Sequence, residues 1–482
     1  TEQLHILNVT AGQKLRFDVM GRRLGSPIDA VLTVRNDKGA QLATNDDRPG
    51  NSDSLLEFVV PNDVKQLQVG VKDMQSRGGA EFFYRVEIRD AQSPDFEISV
   101  AADRLNIPAG GALVLPLVLT RRNYQGPIQL EPLGLPPEIQ VGGLSIPAGS
   151  SQALISLAAA AGSTFRGTLS LRAKGGDAEN SIIRHVAFAE YPGAKYQPWL
   201  RNEIGVAVGL PAPVQLTWQT PPDAKLIAGQ NLAVAANLVR QPNVKDNVRL
   251  RLLTTQPQPR KKIRQNNQDK EIDDLPRTLR IDGAPVFAGD AATQAFSLQV
   301  PGDLPSADWD LAIIAEVLSP DGKAVVSSVA SPIQRLSSVT PLTLELTSPP
   351  TAEARAGAGT AGSFQGKVRR VAGFQQPALV TLAGLPKEIL PPVVAVPADK
   401  EDFTLSLSFP HGTKAGELKD LKLVALADPG NPVSARSNDA SVAINIVAGE
   451  APKLEPTKEV FDEDPQFLPL LTEGKGQANV EA

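Results

Sequence analysis

The sequence predicts an all-β fold, a row of tandem β-sandwiches, on three observations. The first is punctuation: 41 prolines and 39 glycines in 482 residues, against only 21% charged residues, describe a chain that turns often. The second is period. Short apolar–polar alternations recur throughout, and no stretch of ten or so residues sustains helical spacing. The third is a repeat. Residues 124–139, YQGPIQLEPLGLPPEI, return as residues 374–389, FQQPALVTLAGLPKEI, in register at one fixed offset of 250. In each copy an aromatic leads through Pro127 or Pro377 into a short alternating strand that stops at Gly-Leu-Pro. Repetition of this kind marks a duplicated structural unit, with Ile128, Leu130 and Leu133 as inward positions and Pro136 ending the strand.

Composition bounds the rest. A chain of 482 residues suggests roughly three or four domains, each able to bury its own core. A net charge of −5 and a sequence pI near 5.5 argue against a nucleic-acid surface. Cysteine is absent, which removes disulfides, thiol nucleophiles and Cys-bearing zinc sites; this is compatible with an exported bacterial protein, and equally a cytosolic protein can lack Cys. No run of 18 apolar residues occurs, so no membrane span is expected. The chain starts at Thr1 without a signal peptide, as a processed mature protein or a piece of a longer one would.

In the first segment, residues 1–91, strands are expected at 4–9, 15–19, 30–34, 41–43, 55–60, 67–71 and 82–88, with an acidic loop between Asn45 and Asp53. The order of strand, Ala11-Gly12-Gln13, strand, Ile28-Asp29 and apolar strand, Asp37-Lys38-Gly39, Leu42-Ala43-Thr44-Asn45-Asp46-Asp47, Ser52-Asp53-Ser54 and a closing Phe83-Tyr84-Arg85-Val86 resembles the bacterial pre-peptidase C-terminal domain. That resemblance implies a small jelly-roll-like sandwich found beside secreted peptidases and in large surface proteins. Val64-Lys65-Gln66-Leu67 departs from it, standing where the family shows a Gly-x-Tyr approach to a strand.

Residues 94–190 hold the first copy of the repeat and residues 341–449 the second, with strands at spacings of about 8–12 residues, the pattern of an immunoglobulin-like sandwich. Both resemble the bacterial Ig-like repeats of exported proteins. Between them, residues 195–340 read as a diverged third relative: Ala228-Gly229-Gln230 through Arg240 echoes Ala109-Gly110-Gly111 through Arg121 at an offset of 119. An insertion at 256–283 breaks the pattern. It runs from the basic Arg260-Lys261-Lys262-Ile263-Arg264 to the acidic Asp269 to Asp274, and the two are expected to pair in a solvated loop. Trp218 and Trp309 read as core residues, and Trp199 as packing at a junction. The tail, residues 450–482, is acidic and proline-containing, and Phe461, Phe467, Leu468, Leu470 and Leu471 are its candidate contacts to a neighbouring domain or partner chain.

Candidate chemistry is sparse. Asp29, Asn45, Asp46, Asp47 and Asp53 offer oxygens of the kind Ca²⁺ takes, six to eight at a time, although Asp and Asn also cap turns through their own backbones. No other cofactor is indicated. His5, His185 and His411 fall in three different segments, and neither HExxH nor GxSxG occurs, so no catalytic residue is assigned. The reading is a non-enzymatic, exported protein, periplasmic, extracellular or on the cell surface, in structural or protein–protein contact. Its partners would be other protein chains, or a polysaccharide or other surface polymer. Two alternatives stand beside it: the substrate-targeting region of a secreted hydrolase whose catalytic domain precedes residue 1, and a subunit attached to a larger complex by its tail. Short proline-bearing linkers near Ser93-Pro94 and Tyr191-Pro192 favour a semi-rigid row.

Overall fold

Period-two alternation does what it promises: in one strand after another it sends every second side chain into a core. The computed structural model describes residues 2–48, 52–177, 181–188, 197–265, 268–357, 360–427 and 433–449. The candidate tail contacts Phe461, Phe467, Leu468, Leu470 and Leu471 lie outside the described residues. The chain is all-β, a series of tandem β-sandwiches, and divides into two units, the first essentially Thr1–Pro341 and the second built from Leu342–Arg370, Gln375–Leu426 and the residues from Ser437 onward.

Three sandwiches make up the first unit. The first stacks the sheet Gln3–Asn8, Gln66–Asp73, Ala30–Asn36, Gln41–Asn45 on the sheet Leu55–Val59, Lys14–Met20, Arg85–Asp90, all pairs antiparallel. Leu15, Phe17, Val19, Leu32, Val34, Leu67 and Val69 fill its interior. Full burial of such a side chain contributes about 1.5–3 kcal/mol. The closing strand begins at Arg85 rather than at Phe82, because Phe82 and Tyr84 pack on the core from the preceding turn.

The second sandwich is one continuous hydrogen-bonded path through Ser145–Ile146, Ile128–Leu133, Arg166–Gly175, Ile204–Pro211, Arg104–Ala109, Gln152–Ala159, Ala112–Arg122, Asp95–Val100 and Ala187–Phe188. The strand Ile204–Pro211 follows the residue at which the sequence closes this segment, yet it pairs antiparallel with Arg166–Gly175 and parallel with Arg104–Ala109. Ile204, Val206 and Val208 add to the same core. Ala212 then bonds back to the Ala109 carbonyl at 2.8 Å, and the third sandwich starts at once with Val214–Gln219.

In the third sandwich the sheet Val214–Gln219, Leu232–Arg240, Thr293–Gln299, Arg280–Ile281 faces the sheet Leu226–Ile227, Gln334–Val339, Asp308–Leu318, Val248–Thr254, Val286–Phe287. Trp218 and Trp309 are core residues, and the Trp309 indole donates to Ser338 Oγ at 2.9 Å. The charged insertion is not a loop but a two-stranded hairpin. Arg260–Gln265 pairs with Gln268–Asp273 in the register Arg260↔Asp273, Lys262↔Glu271 and Arg264↔Asp269. The register sets opposite charges across the pair, of which Arg260 and Asp273 approach to 3.9 Å, an exposed contact of about 0–1 kcal/mol.

The second unit packs Leu342–Leu346, Gly362–Arg370, Asp402–Leu407 on Thr351–Arg355, Ala440–Val447, Gly416–Ala427, Ala378–Ala383, Val393–Val396. Here the repeat finds its physical meaning, with Ile128 and Leu130 buried as expected but Leu133, one place off their alternation, 38% exposed instead of inward. Ile128–Leu133 and Ala378–Ala383 each lie between a long strand and a short one, and each ends in a glycine, Gly134 at φ 89° and Gly384 at φ 90°. A Cβ at Gly134 would lie 2.6 Å from the Thr168 carbonyl, so both conformation and space require glycine. The prolines then close a turn, Ile139 N–H to Pro136 O and Ile389 N–H to Pro386 O, both at 3.0 Å.

A second shared device lies one strand earlier. Arg121, near the end of Ala112–Arg122, donates to the carbonyls of Ser150 (2.7 Å), Gly126 (2.7 Å) and Pro147 (3.0 Å). Arg370, ending Gly362–Arg370, donates to Gln376 (2.9 Å), Lys400 (2.8 Å) and Val396 (3.0 Å). Arg240 does the same to Asp246 at 2.7 Å. Burial holds all three guanidinium groups below their ordinary value. Each satisfies loop carbonyls that no strand reaches.

Candidate ligand cleft between the first two sandwiches

The alternation that fills a core also decides what a sheet shows to its neighbour. On Lys14–Met20 the inward Leu15, Phe17 and Val19 force Arg16, Asp18 and Met20 outward. On Asp95–Val100 the inward Phe96, Ile98 and Val100 force Asp95, Glu97 and Ser99 outward. These polar faces enclose a cleft of about 700 Å³ within the first unit. Its charged lining is six arginines (Arg16, Arg23, Arg48, Arg89, Arg184, Arg201) against four carboxylates (Asp18, Glu87, Asp95, Glu97), with His185 beside them. The short helical turn Pro198–Asn202 contributes Arg201 and packs near the turn Arg22–Leu24, which places Trp199 at this junction.

Pairing within the cleft is uneven. Arg184 grips Asp95 with its Nε at 2.9 Å and its Nη2 at 2.7 Å. Arg23 is shared between Asp18 and Asp53, its Nε 2.8 Å from Asp53. Burial opposes the charge on Arg23, but the hydrogen bonds and charges of Asp18 and Asp53 outweigh it and leave the guanidinium above its ordinary value. By contrast, Arg16 reaches Asp95 only at 3.6 Å and Glu97 at 3.8 Å, and Arg48 reaches Asp18 at 3.4 Å and Glu97 at 3.8 Å. Burial pushes Arg48 below its ordinary value, and the charges of Arg23 and Arg16 act the same way. With Arg122 at 3.6 Å, three guanidinium groups converge on one oxygen of Glu97, none at hydrogen-bond distance.

Of the oxygen donors singled out by sequence, Asp53 and Asn45 are engaged by backbone N–H groups, and Asp29 and Asp47 lie near enough to repel one another. Asp53 is fully buried, and its carboxylate accepts the backbone N–H groups of Gly21 (2.9 Å), Arg22 (2.6 Å) and Arg23 (3.1 Å). Asn45 Oδ1 accepts the Leu55 N–H at 3.0 Å. Asp46 and Asp47 are exposed, and Asp29 is half-buried, its carboxyl raised by burial and then by the negative charge of Asp47. Among the described residues no group of three or more His, Asp and Glu side chains is placed to hold a metal ion. An acidic residue that sequence reading passed over, Asp73, is buried and accepts from the Asp29 N–H and from Arg77, both at 2.9 Å. His5 shares a 3.0 Å hydrogen bond with the Tyr84 hydroxyl.

Sequence reasoning missed Arg16, Arg48, Asp95 and Glu97. Each looks like an ordinary solvent-side residue of an alternating strand or loop. The sequence marks only that both outward faces, 16/18 and 95/97, are charged; that their strands face one another is a tertiary fact.

No family model matches the chain, and no curated protein matches it. Solved structures that match include the ICAM-5 D1–D4 ectodomain fragment, at 12% identity over 73% of this chain and 77% of that one, TM-score 0.18. Domains 4–9 of the surface-layer protein SbsC match at 11% identity over 92% and 66%, TM-score 0.23. Tandem Ig repeats of Dlar match at 9% identity over 51% and 97%, TM-score 0.19. TM-scores this low carry no argument about function. Among the described residues no helix is long and apolar enough to cross a membrane.

Proposed function

We propose that this chain is a non-catalytic, exported scaffold, with a structural or interaction role, that holds β-sandwich faces at fixed spacing for protein partners or a surface polymer. The observation that supports this reading best is that the sandwiches of the first unit meet through built junctions instead of free linkers. The first and second are apposed through the packing of the Arg22–Leu24 turn against Pro198–Asn202 and through long-range charge contacts of 3.6–3.8 Å from Arg16 to Asp95 and Glu97, Arg48 to Glu97 and Arg122 to Glu57. The second and third share an apolar cluster of their own, Val114 and Leu154 with Ala312, Ile314 and Ala330. An enzyme needs one preorganised site; a spacer needs fixed relations between modules, and stability here is invested in the relations. Resemblance of the first sandwich to pre-peptidase C-terminal domains, and of the repeats to bacterial Ig-like modules, agrees with export and a surface location.

The test is a distance measurement. The chain has no cysteine, so two introduced cysteines carry spin labels without background. One narrow distance between the first and third sandwiches supports the scaffold; a broad distribution contradicts it.

A further inference from the structure

We propose that the cleft between the first two sandwiches binds the oxyanion group of a small ligand, a phosphate, sulfate or carboxylate, between Arg16 and Arg48, and that Glu97 is the built-in competitor for the same position. This goes beyond the scaffold reading and does not depend on it.

The argument is one of unspent donors. A guanidinium carries five N–H groups suited to a forked grip on an oxyanion. Where the cleft uses an arginine as a staple, the grip is tight: 2.7 Å for Arg184 on Asp95 and 2.8 Å for Arg23 on Asp53. Arg16 and Arg48 are different. Their side chains are only 12% and 17% exposed, yet Arg48 makes only one long hydrogen bond, 3.4 Å to Asp18, and the other carboxylate oxygens facing the pair lie 3.6–3.8 Å away. Two half-buried cations are thus aimed at a space in which one carboxylate, Glu97, serves three arginines at long range, and Glu97 is itself 46% exposed and free to swing outward.

The surroundings select the chemistry. At about 700 Å³ the cleft falls in the range of small-molecule sites. Among the described residues its lining contains no Phe, Tyr or Trp face, the surface a neutral sugar stacks on, and its apolar part is Met20, Ile98, Ala187 and Pro198. Recognition therefore falls to charge-assisted hydrogen bonds. The cleft is also larger than a bare phosphate needs, so the ligand carries its oxyanion on a larger body: a phosphate ester or an acidic sugar residue.

The experiment uses the full chain, titrated with inorganic phosphate, sulfate and glucuronate against sodium chloride at matched ionic strength, by calorimetry and by thermal melting. At least one oxyanion is expected to release or absorb binding heat and, at ten times its Kd, to raise the melting of the first unit by about 2–4 °C, where chloride does not. Phosphate or sulfate ahead of glucuronate indicates an ester; the reverse indicates an acidic sugar. Arg48→Gln should weaken binding at least about tenfold. Glu97→Gln should strengthen it, because the competing carboxylate is gone. A structural ion network would make the opposite showing, with Glu97→Gln binding no better than wild type. Equal response to chloride and to all three probes, or weakening by Glu97→Gln, overturns the proposal; the wild-type and Glu97→Gln titrations decide it even where Arg48→Gln fails to fold.

Discussion

Leu154 of the second sandwich and Ile314 of the third are buried in one apolar cluster, 1% and 6% exposed, although both point away from the cores of their own sandwiches. In an isolated sandwich Leu154 would be a surface residue. Leu154→Glu should therefore leave the second sandwich folded while removing about 3 kcal/mol of coupling to the third, from the lost burial and the charge placed in an apolar contact. Scanning calorimetry checks this: the variant should resolve a transition that is merged in the wild type. A variant that melts as one unit at a uniformly lower temperature would mean that Leu154 belongs to its own core after all.

The arginines that clasp loop carbonyls act locally. Arg121→Ala removes the guanidinium from the carbonyls of Gly126, Pro147 and Ser150, of which Pro147 keeps only the Ser150 N–H at 3.4 Å, and hydrogen bonds from a charged donor contribute about 1.5–3 kcal/mol each without adding fully. A loss of about 2–4 kcal/mol is expected in the second sandwich, and a similar loss from Arg370→Ala in the second unit. Hydrogen exchange should show faster opening confined to the altered sandwich. Arg121→Lys should recover only part, because one ammonium cannot fork to three carbonyls.

Acid should weaken the first sandwich early, through Asp73. The hydrogen bond from Arg77 is the largest influence holding this carboxylate well below the ordinary range; burial opposes it, and the backbone N–H groups of Asp29 and Arg77 assist. Its folded value lies below its unfolded value of about 3.9, so the stabilisation is complete above that pH and is lost as pH falls further. Melting followed from pH 5 to pH 2 should fall more steeply in wild type than in Asp73→Asn. Parallel curves would assign the acid sensitivity elsewhere.

Calcium provides a sharp check on the acidic turn. Asp53 already accepts three backbone N–H groups and Arg23, and Asn45 holds Leu55, which leaves Asp29, Asp46 and Asp47 of the five oxygen donors. Binding through one oxygen each, these three would supply half or fewer of the six to eight oxygens the ion takes. Millimolar calcium is expected to leave the melting of the first sandwich where magnesium leaves it; a selective rise of several degrees would support the calcium reading of this turn.

The fold was largely legible because alternation, turn residues and the repeat all point the same way. Gly134 and Gly384 sit where the repeat placed a strand end, and the basic run at Arg260 meets the acidic run at Asp273 across a hairpin instead of a loop. The junctions were harder to read. Ala153-Leu154-Ile155 is an unbroken apolar triplet, and Leu311 to Ala315 an unbroken run, each buried on both faces. Continuous apolar runs of that kind signal strands covered on two sides, but they do not say by what. The cleft was less legible still, since Arg16 or Glu97 alone is what any solvent-facing strand position carries. Only the facing of two sheets, a tertiary fact, turns those residues into a site. The strand Ile204–Pro211 escaped its sandwich in the sequence reading for a similar reason: parallel pairing with Arg104–Ala109 spans about a hundred residues and leaves no local mark.

The central claim, that the first three sandwiches keep fixed relations, is tested most directly by a pulsed electron-spin distance measurement on the full chain. Lys38→Cys, in an exposed turn of the first sandwich, and Lys323→Cys, in an exposed turn of the third, would carry the labels. The account predicts a single narrow distance distribution, unchanged by dilution and broadened when Leu154→Glu is added. A broad or multi-peaked distribution in the otherwise wild-type chain would contradict it.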